Sequence, residues 1–241
     1  GRSATALAAA DPPVRAVLVK MPAPTLADDR PDAERLLDAA RAESIAPALL
    51  YDLPSLLRDN GFQGTAIVSA GCVIDFVGGP DEAPCLAAAF DIGTTTLVGE
   101  LLDLHNGAVL AFASRMNPQS AFGDDVLSRI THASLSPESL TEVHDTVVTA
   151  LNEMLEEMAA QAGIETGSVY EVAVSGNTTM EHLFAGLNPH ALGLVPFVPV
   201  ARRGLTLEPR QVGIDINPRG RVYVLPVIGG FVGGDTVAGI E

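Results

Sequence analysis

Positive charge is scarce in this sequence. Fourteen Lys and Arg stand against 30 Asp and Glu, a net charge of −16 over 241 residues. An acidic surface repels a phosphate backbone, so nucleic acid is excluded as a partner unless a basic patch interrupts it. The nearest approach to a patch is Arg202-Arg203 with Arg210, which reads as a solvated loop. Cysteine is scarce as well. Cys72 and Cys85 are too far apart for a CxxC motif, and two thiols alone cannot ligate an iron–sulfur cluster. Cys72 reads as a small core residue, and the low cysteine usage points to a reducing, cytoplasmic compartment. The longest stretch free of Asp, Glu, Lys and Arg, Leu183 to Ala201, is broken by Pro189, Pro196, Pro199, Gly186 and Gly193. It therefore reads as loops with short strands rather than a membrane span. No signal-peptide pattern opens the chain. Neither G-x-x-x-x-G-K-[ST] nor G-x-G-x-x-G occurs, which excludes ordinary P-loop and Rossmann sites. No repeat with a period of 20 to 50 residues is present.

Apolar residues are plentiful. Hydrophobic content of 47% against 18% charged predicts a packed globular chain. Residues 1–13 read as a linker. Residues 14–83 read as a small α/β domain: a strand over Arg15 to Met21, a helix over Asp32 to Glu43, and a short helix over Asp52 to Asn60 stopped by Gly61. Two strands, Thr65 to Ser69 and Cys72 to Val77, complete it. Residues 84–241 read as a second α/β unit. Three apolar segments open it, Leu86 to Phe90, Thr96 to Asp103 and Ala108 to Ser114, the last two joined at Asn106-Gly107, a hairpin signal. Asp124 to His132 reads as a helix. Ser136 caps a long helix carrying Leu140, Val143, Val147, Leu151, Met154 and Met158 on one face, ended by Gly163. Strands over Val169 to Ser175 and Arg221 to Ile228 follow, with a helix starting near Asn177. This order predicts an α/β layer with an antiparallel edge rather than a doubly wound parallel sheet.

Three strand-end turns carry residues suited to phosphate: Asp91-Ile92-Gly93-Thr94-Thr95-Thr96, Ser175-Gly176-Asn177-Thr178-Thr179, and Gly233-Gly234-Asp235-Thr236. Glycine admits close approach of backbone to an anion, and backbone N–H groups and Thr hydroxyls donate to phosphate oxygens. A carboxylate cannot touch phosphate without repulsion, but it can hold a hydrated Mg²⁺ or orient a water. Read alone, the Asp91–Thr96 turn is equally a tight hairpin end. Asn177 either lines a cleft or caps a helix, and Asp235 is equally a helix cap. Asp124 and Asp125 read first as helix caps. The histidines show no metal-ligand spacing.

The stretch Phe90 to Thr96 with the hairpin through Ser114 resembles the first phosphate loop of the acetate and sugar kinase/Hsp70/actin superfamily. The run Asn117-Pro118-Gln119-Ser120-Ala121-Phe122-Gly123-Asp124-Asp125-Val126-Leu127-Ser128-Arg129-Ile130 is similar to the signature after that loop in reductive activators of corrinoid proteins. So are Ser175 to His182 and Gly230 to Thr236. The resemblance implies the first lobe of an actin-like, ribonuclease H-like fold with a mixed sheet over 84–241, preceded by the family's middle domain over 14–83. It also implies ATP-driven return of a Co(II) corrinoid protein to Co(I), with electrons from a [2Fe-2S] domain not in this chain. Asp91 and Asp235 would position Mg²⁺ or water. Gly93, Thr94, Thr95, Thr96, Gly176, Asn177, Gly233, Gly234 and Thr236 would hold ATP. The corrinoid protein would be the partner and a homodimer through the middle domain the assembly, with Asp124 and Asp125 as alternative partner contacts. The family's second lobe continues well past Asp235, so the chain reads as a fragment inactive by itself. Two other readings stay open, a small-molecule kinase of the same superfamily and a non-enzymatic actin-like assembly module.

Overall fold

A computed structural model describes residues 14–227. The 1–13 linker and the loop of Gly233, Gly234, Asp235 and Thr236 lie outside those residues. The chain divides into two compact units, residues 1–86 with 103–108, and residues 87–102 with 109–241. The tip of the Asn106-Gly107 hairpin thus groups with the first unit.

The first unit runs β1 (Val14–Lys20), α1 (Asp32–Ala40), β2 (Ser44–Ile45), α2 (Pro47–Leu50), α3 (Leu53–Asp59), β3 (Gln63–Ser69) and β4 (Cys72–Gly78). Its strands order as β1-β3-β4-β2, with β3 antiparallel to β1 and β4, and β2 parallel to β4. Leu36, Leu49, Leu53 and Leu57 from the helices pack on Val19, Ala66, Val68, Val73 and Phe76 from the sheet. Helix α1 stops at Ala40, short of the expected Glu43. Arg41 turns left-handed there, at φ 51°, and Ala42 N–H donates back to the Leu37 carbonyl at 3.0 Å. That is a Schellman closure made on an arginine where glycine is usual.

The second unit holds β5 (Leu86–Ile92), β6 (Thr96–Asp103), β7 (Val109–Met116), α4 (Val126–Ala133), α5 (Pro137–Ala162), β8 (Val169–Gly176), α6 (Thr178–Phe184), β9 (Leu205–Leu207), α7 (Pro209–Val212) and β10 (Arg221–Val224). Strand order is β7-β6-β5-β8-β10-β9. β8 and β10 run parallel, while β6/β7 and β9/β10 run antiparallel. The sheet is therefore mixed, as the sequence predicts. In α5, Ser136 Oγ accepts the Ser139 N–H at 3.1 Å and Gly163 closes the helix at φ 68°. Val143, Val147, Leu151, Met154 and Met158 are buried, so the methionine pair is core.

Two further expectations change. The last strand ends at Val224, before Pro226, which has no N–H to continue a ladder; Ile228, its expected end, lies outside the described residues. The Leu183–Ala201 stretch contains no strand: the end of α6, one 3₁₀ turn (His190–Gly193) and loop fill it. The prolines that exclude a membrane span also remove the donors a strand needs. No helix among the described residues is long and apolar enough to cross a membrane. Strand β9 was not anticipated, since three residues are too short to show a period of two.

Candidate phosphate-binding site

Strand β5 buries Phe90 and Ile92 and leaves Asp91 exposed between them, as alternation along a strand requires. The chain then turns through Gly93 to Thr95 into β6. Gly93 N–H donates to the Thr96 carbonyl at 3.0 Å, which closes the turn. A Cβ on Gly93 would lie 2.6 Å from that same oxygen, so the glycine serves the turn itself first. Gly176, at the end of β8, has the same kind of requirement: a Cβ there would meet the Ile92 carbonyl at 2.8 Å.

The carbonyls of the turn are all engaged. Asn117 Nδ2 donates to Gly93 O at 2.8 Å, the Arg129 Nη2 donates to Thr94 O at 2.6 Å, and the Asn117 N–H donates to Thr95 O at 2.8 Å. In a trans peptide the C=O and N–H point in opposite directions. Tying these oxygens inward therefore turns the following N–H groups the other way. Among the described residues, the N–H groups of Thr94 and Thr95 donate to nothing. Asn177 Nδ2 donates to Thr94 Oγ1 at 3.0 Å, so that hydroxyl accepts from Asn177 and keeps its own proton for another acceptor. Thr95 and Thr96 are exposed. The result is a short arc of outward donors with an exposed carboxylate at its root, the chemistry of an anion nest.

Asn177 caps the helix that follows it, and its amide reaches the 93–96 turn. Its Oδ1 accepts the N–H groups of Thr179 and Met180 at 3.1 Å each, capping α6, while its amide holds Thr94. Asp125 caps α4 through the Ser128 N–H at 2.8 Å, with the Ser128 hydroxyl completing the box. Its carboxyl is held below the usual range, first by that hydroxyl and then by the Ser128 N–H.

Sequence reasoning missed the support residues Asn117 and Arg129. A signal existed for Arg129. Val126, Arg129, Ile130 and Ala133 share one face of α4 at helical spacing, so the arginine occupies a core position. Asn117 is fully buried, and Gln119 beside it donates to the Val143 carbonyl at 3.0 Å, joining the turn to α5.

His182 is buried. Its Nδ1 donates to Thr178 O at 2.7 Å and its Nε2 accepts the Val200 N–H at 3.0 Å, which fixes a neutral tautomer. Burial pushes its pKa down against the opposing Thr178 bond. A groove of about 790 Å³ runs along α5, but Glu138, Glu142, Asp145 and Glu153 line it, and those charges repel phosphate. Among the described residues no group of three or more His, Cys, Asp or Glu side chains could hold a metal ion. Cys85 is buried and Cys72 partly so.

Residues 86–241 match the family model described as the RACo middle region, and residues 4–83 match that of the RACo linker region. The chain belongs to the RACo family. In the family's own division, the four-stranded unit falls in the linker region and the six-stranded sheet in the middle region. The chain is 42% identical over 173 residues to the corrinoid activation enzyme RamQ of Eubacterium limosum, a match covering 71% of this chain and 29% of that protein. A solved structure of a reductive activator for corrinoid, iron-sulfur protein superposes with a TM-score of 0.87 at 33% identity, over 95% of this chain and 38% of that one. The chain thus spans about a third of the length of these relatives. The fold match identifies the RACo middle region with the mixed-sheet, actin-like architecture that the sequence predicts.

Proposed function

We propose that this chain supplies the linker region and first ATPase lobe of a reductive activator that returns Co(II) corrinoid protein to Co(I), using ATP. Its electrons come from an iron–sulfur domain outside this chain, since two cysteines cannot hold a cluster. The observation that carries the ATP reading is the 93–96 turn, with Gly93, Thr94 and Thr95 carbonyls tied inward and the Thr94 and Thr95 amides left to donate outward. Thr94 and Thr95 bind phosphate oxygens, Thr96 adds a hydroxyl, and Asn177 orients Thr94. Gly176 lets the β8 end approach β5. Asp91 suits Mg²⁺ that keeps most of its waters and takes its other ligands from phosphate. Bound Mg²⁺–ATP supplies the phosphoanhydride and neutralises its charge. Asp235, with Gly233, Gly234 and Thr236, is proposed as the opposing half of the cleft. The names of the relatives support the corrinoid partner, and ATP binding biasing cobalt ligation is a physically sound lever on its potential.

The test is ATP hydrolysis by the intact parent protein. Turnover stimulated by a Co(II) corrinoid protein is expected. Stimulation by a sugar or carboxylic acid with a phosphorylated product would make it a kinase. Stimulation only by self-assembly would make it a filament module.

A further inference from the structure

Arg129 carries more charge than its contacts use. It is 1% exposed. Its polar contacts are all neutral acceptors: Thr94 O at 2.6 Å, Gly123 O at 3.0 Å and Met180 Sδ at 3.3 Å. None of the ion pairs among the described residues includes it. The carboxylates it feels electrostatically, Asp124 and Asp125, are exposed to solvent, and Asp125 is already occupied by its cap. Burial lowers the Arg129 pKa and the two aspartates only partly oppose it. A buried guanidinium without a close carboxylate is costly, and structures keep such a charge where another anion compensates it.

The position of Arg129 says where that anion sits. Its Nη2 grips Thr94 O, and the other end of the same planar peptide is the Thr95 N–H, which has no acceptor among the described residues. A phosphate oxygen on Thr95 N–H would extend an alternating row: anion, N–H, C=O, guanidinium. Each member polarises the next, and the low dielectric around Arg129 preserves the effect. We propose that Arg129 is a positioning residue whose buried charge, relayed through the Thr94–Thr95 peptide, gives the 93–96 turn its affinity for a polyphosphate chain. This rests on the reading of that turn as the ATP phosphate loop, and it assigns the turn's positive field to a residue that touches no ligand.

The experiment measures ATP affinity of the intact parent protein by isothermal titration for wild type, Arg129→Gln and Arg129→Lys. Gln keeps a neutral donor for Thr94 O, whereas Lys keeps the charge with altered geometry. A charge role predicts that Gln weakens ATP binding fivefold or more and flattens its salt dependence, while Lys stays within fivefold of wild type. Gln binding within fivefold of wild type, or Lys losing more than fivefold, overturns the proposal. Should Arg129→Gln fail to fold, the Lys arm alone decides by the same threshold. Wild type binding no ATP would overturn the phosphate-loop reading itself, and that result is visible before any variant is compared.

Discussion

At the scale of single residues, the turn works by division of labour. Asn117 and Arg129 fix its shape from one side, and the Thr94 and Thr95 N–H groups meet no acceptor among the described residues. Thr94→Ala removes one hydroxyl donor and the Asn177 contact. One charge-assisted hydrogen bond contributes about 1.5 kcal/mol, so ATP affinity of the intact protein is expected to fall about tenfold. Unchanged affinity would return that hydroxyl to a structural role. His182 gives a pH signature. Its folded-state pKa lies below that of the unfolded chain, so the unfolded state binds the extra proton first. Its contribution to stability is complete above about pH 6.5 and declines as pH falls below that value. Urea midpoints should drop between pH 7.5 and 5.5 in wild type, and drop less in His182→Gln. Equal declines in both would show that another group sets the acid limit.

At the scale of elements, legibility in the sequence followed distance along the chain. Helix α5 was readable end to end because its cap at Ser136, its buried stripe and its stop at Gly163 are all local. The hairpin at Asn106-Gly107 was readable for the same reason, with Gly107 at φ 72°. Strand β9 was too short to show a pattern, and the end of α1 was hidden by a left-handed arginine. The 93–96 turn left two readings open because what fixes it lies 24 residues away at Asn117 and 35 away at Arg129. Both residues stand in a run that resembles a family signature, yet their hydrogen bonds to the turn follow only from tertiary packing that brings residues 117 and 129 to it. Asn117→Ala tests that support. It strands the half-buried Gly93 carbonyl and unties the buried Gln119 N–H, a cost of about 2 kcal/mol. The melting temperature of this chain should fall by roughly 4–8 °C in a thermal melt followed by circular dichroism. No change would mean that solvent satisfies the turn as well as Asn117 does.

At the scale of the whole molecule, the chain pairs a four-stranded unit with a six-stranded mixed sheet, and the donor arc belongs to the second. A homodimer through the first unit remains a proposal of the family resemblance. Light scattering on the chain should give about twice the 25.0 kDa monomer mass, and a monomer at micromolar concentration would count against it. The central claim is that Asp91 stands at the root of an ATP phosphate loop that drives corrinoid activation. The most direct measurement is corrinoid-stimulated ATP turnover by the intact protein carrying Asp91→Asn, a near-isosteric change that removes the charge and turns one acceptor oxygen into an N–H donor. The expected result is loss of turnover with the fold retained. Wild-type turnover by the Asn variant would contradict the account.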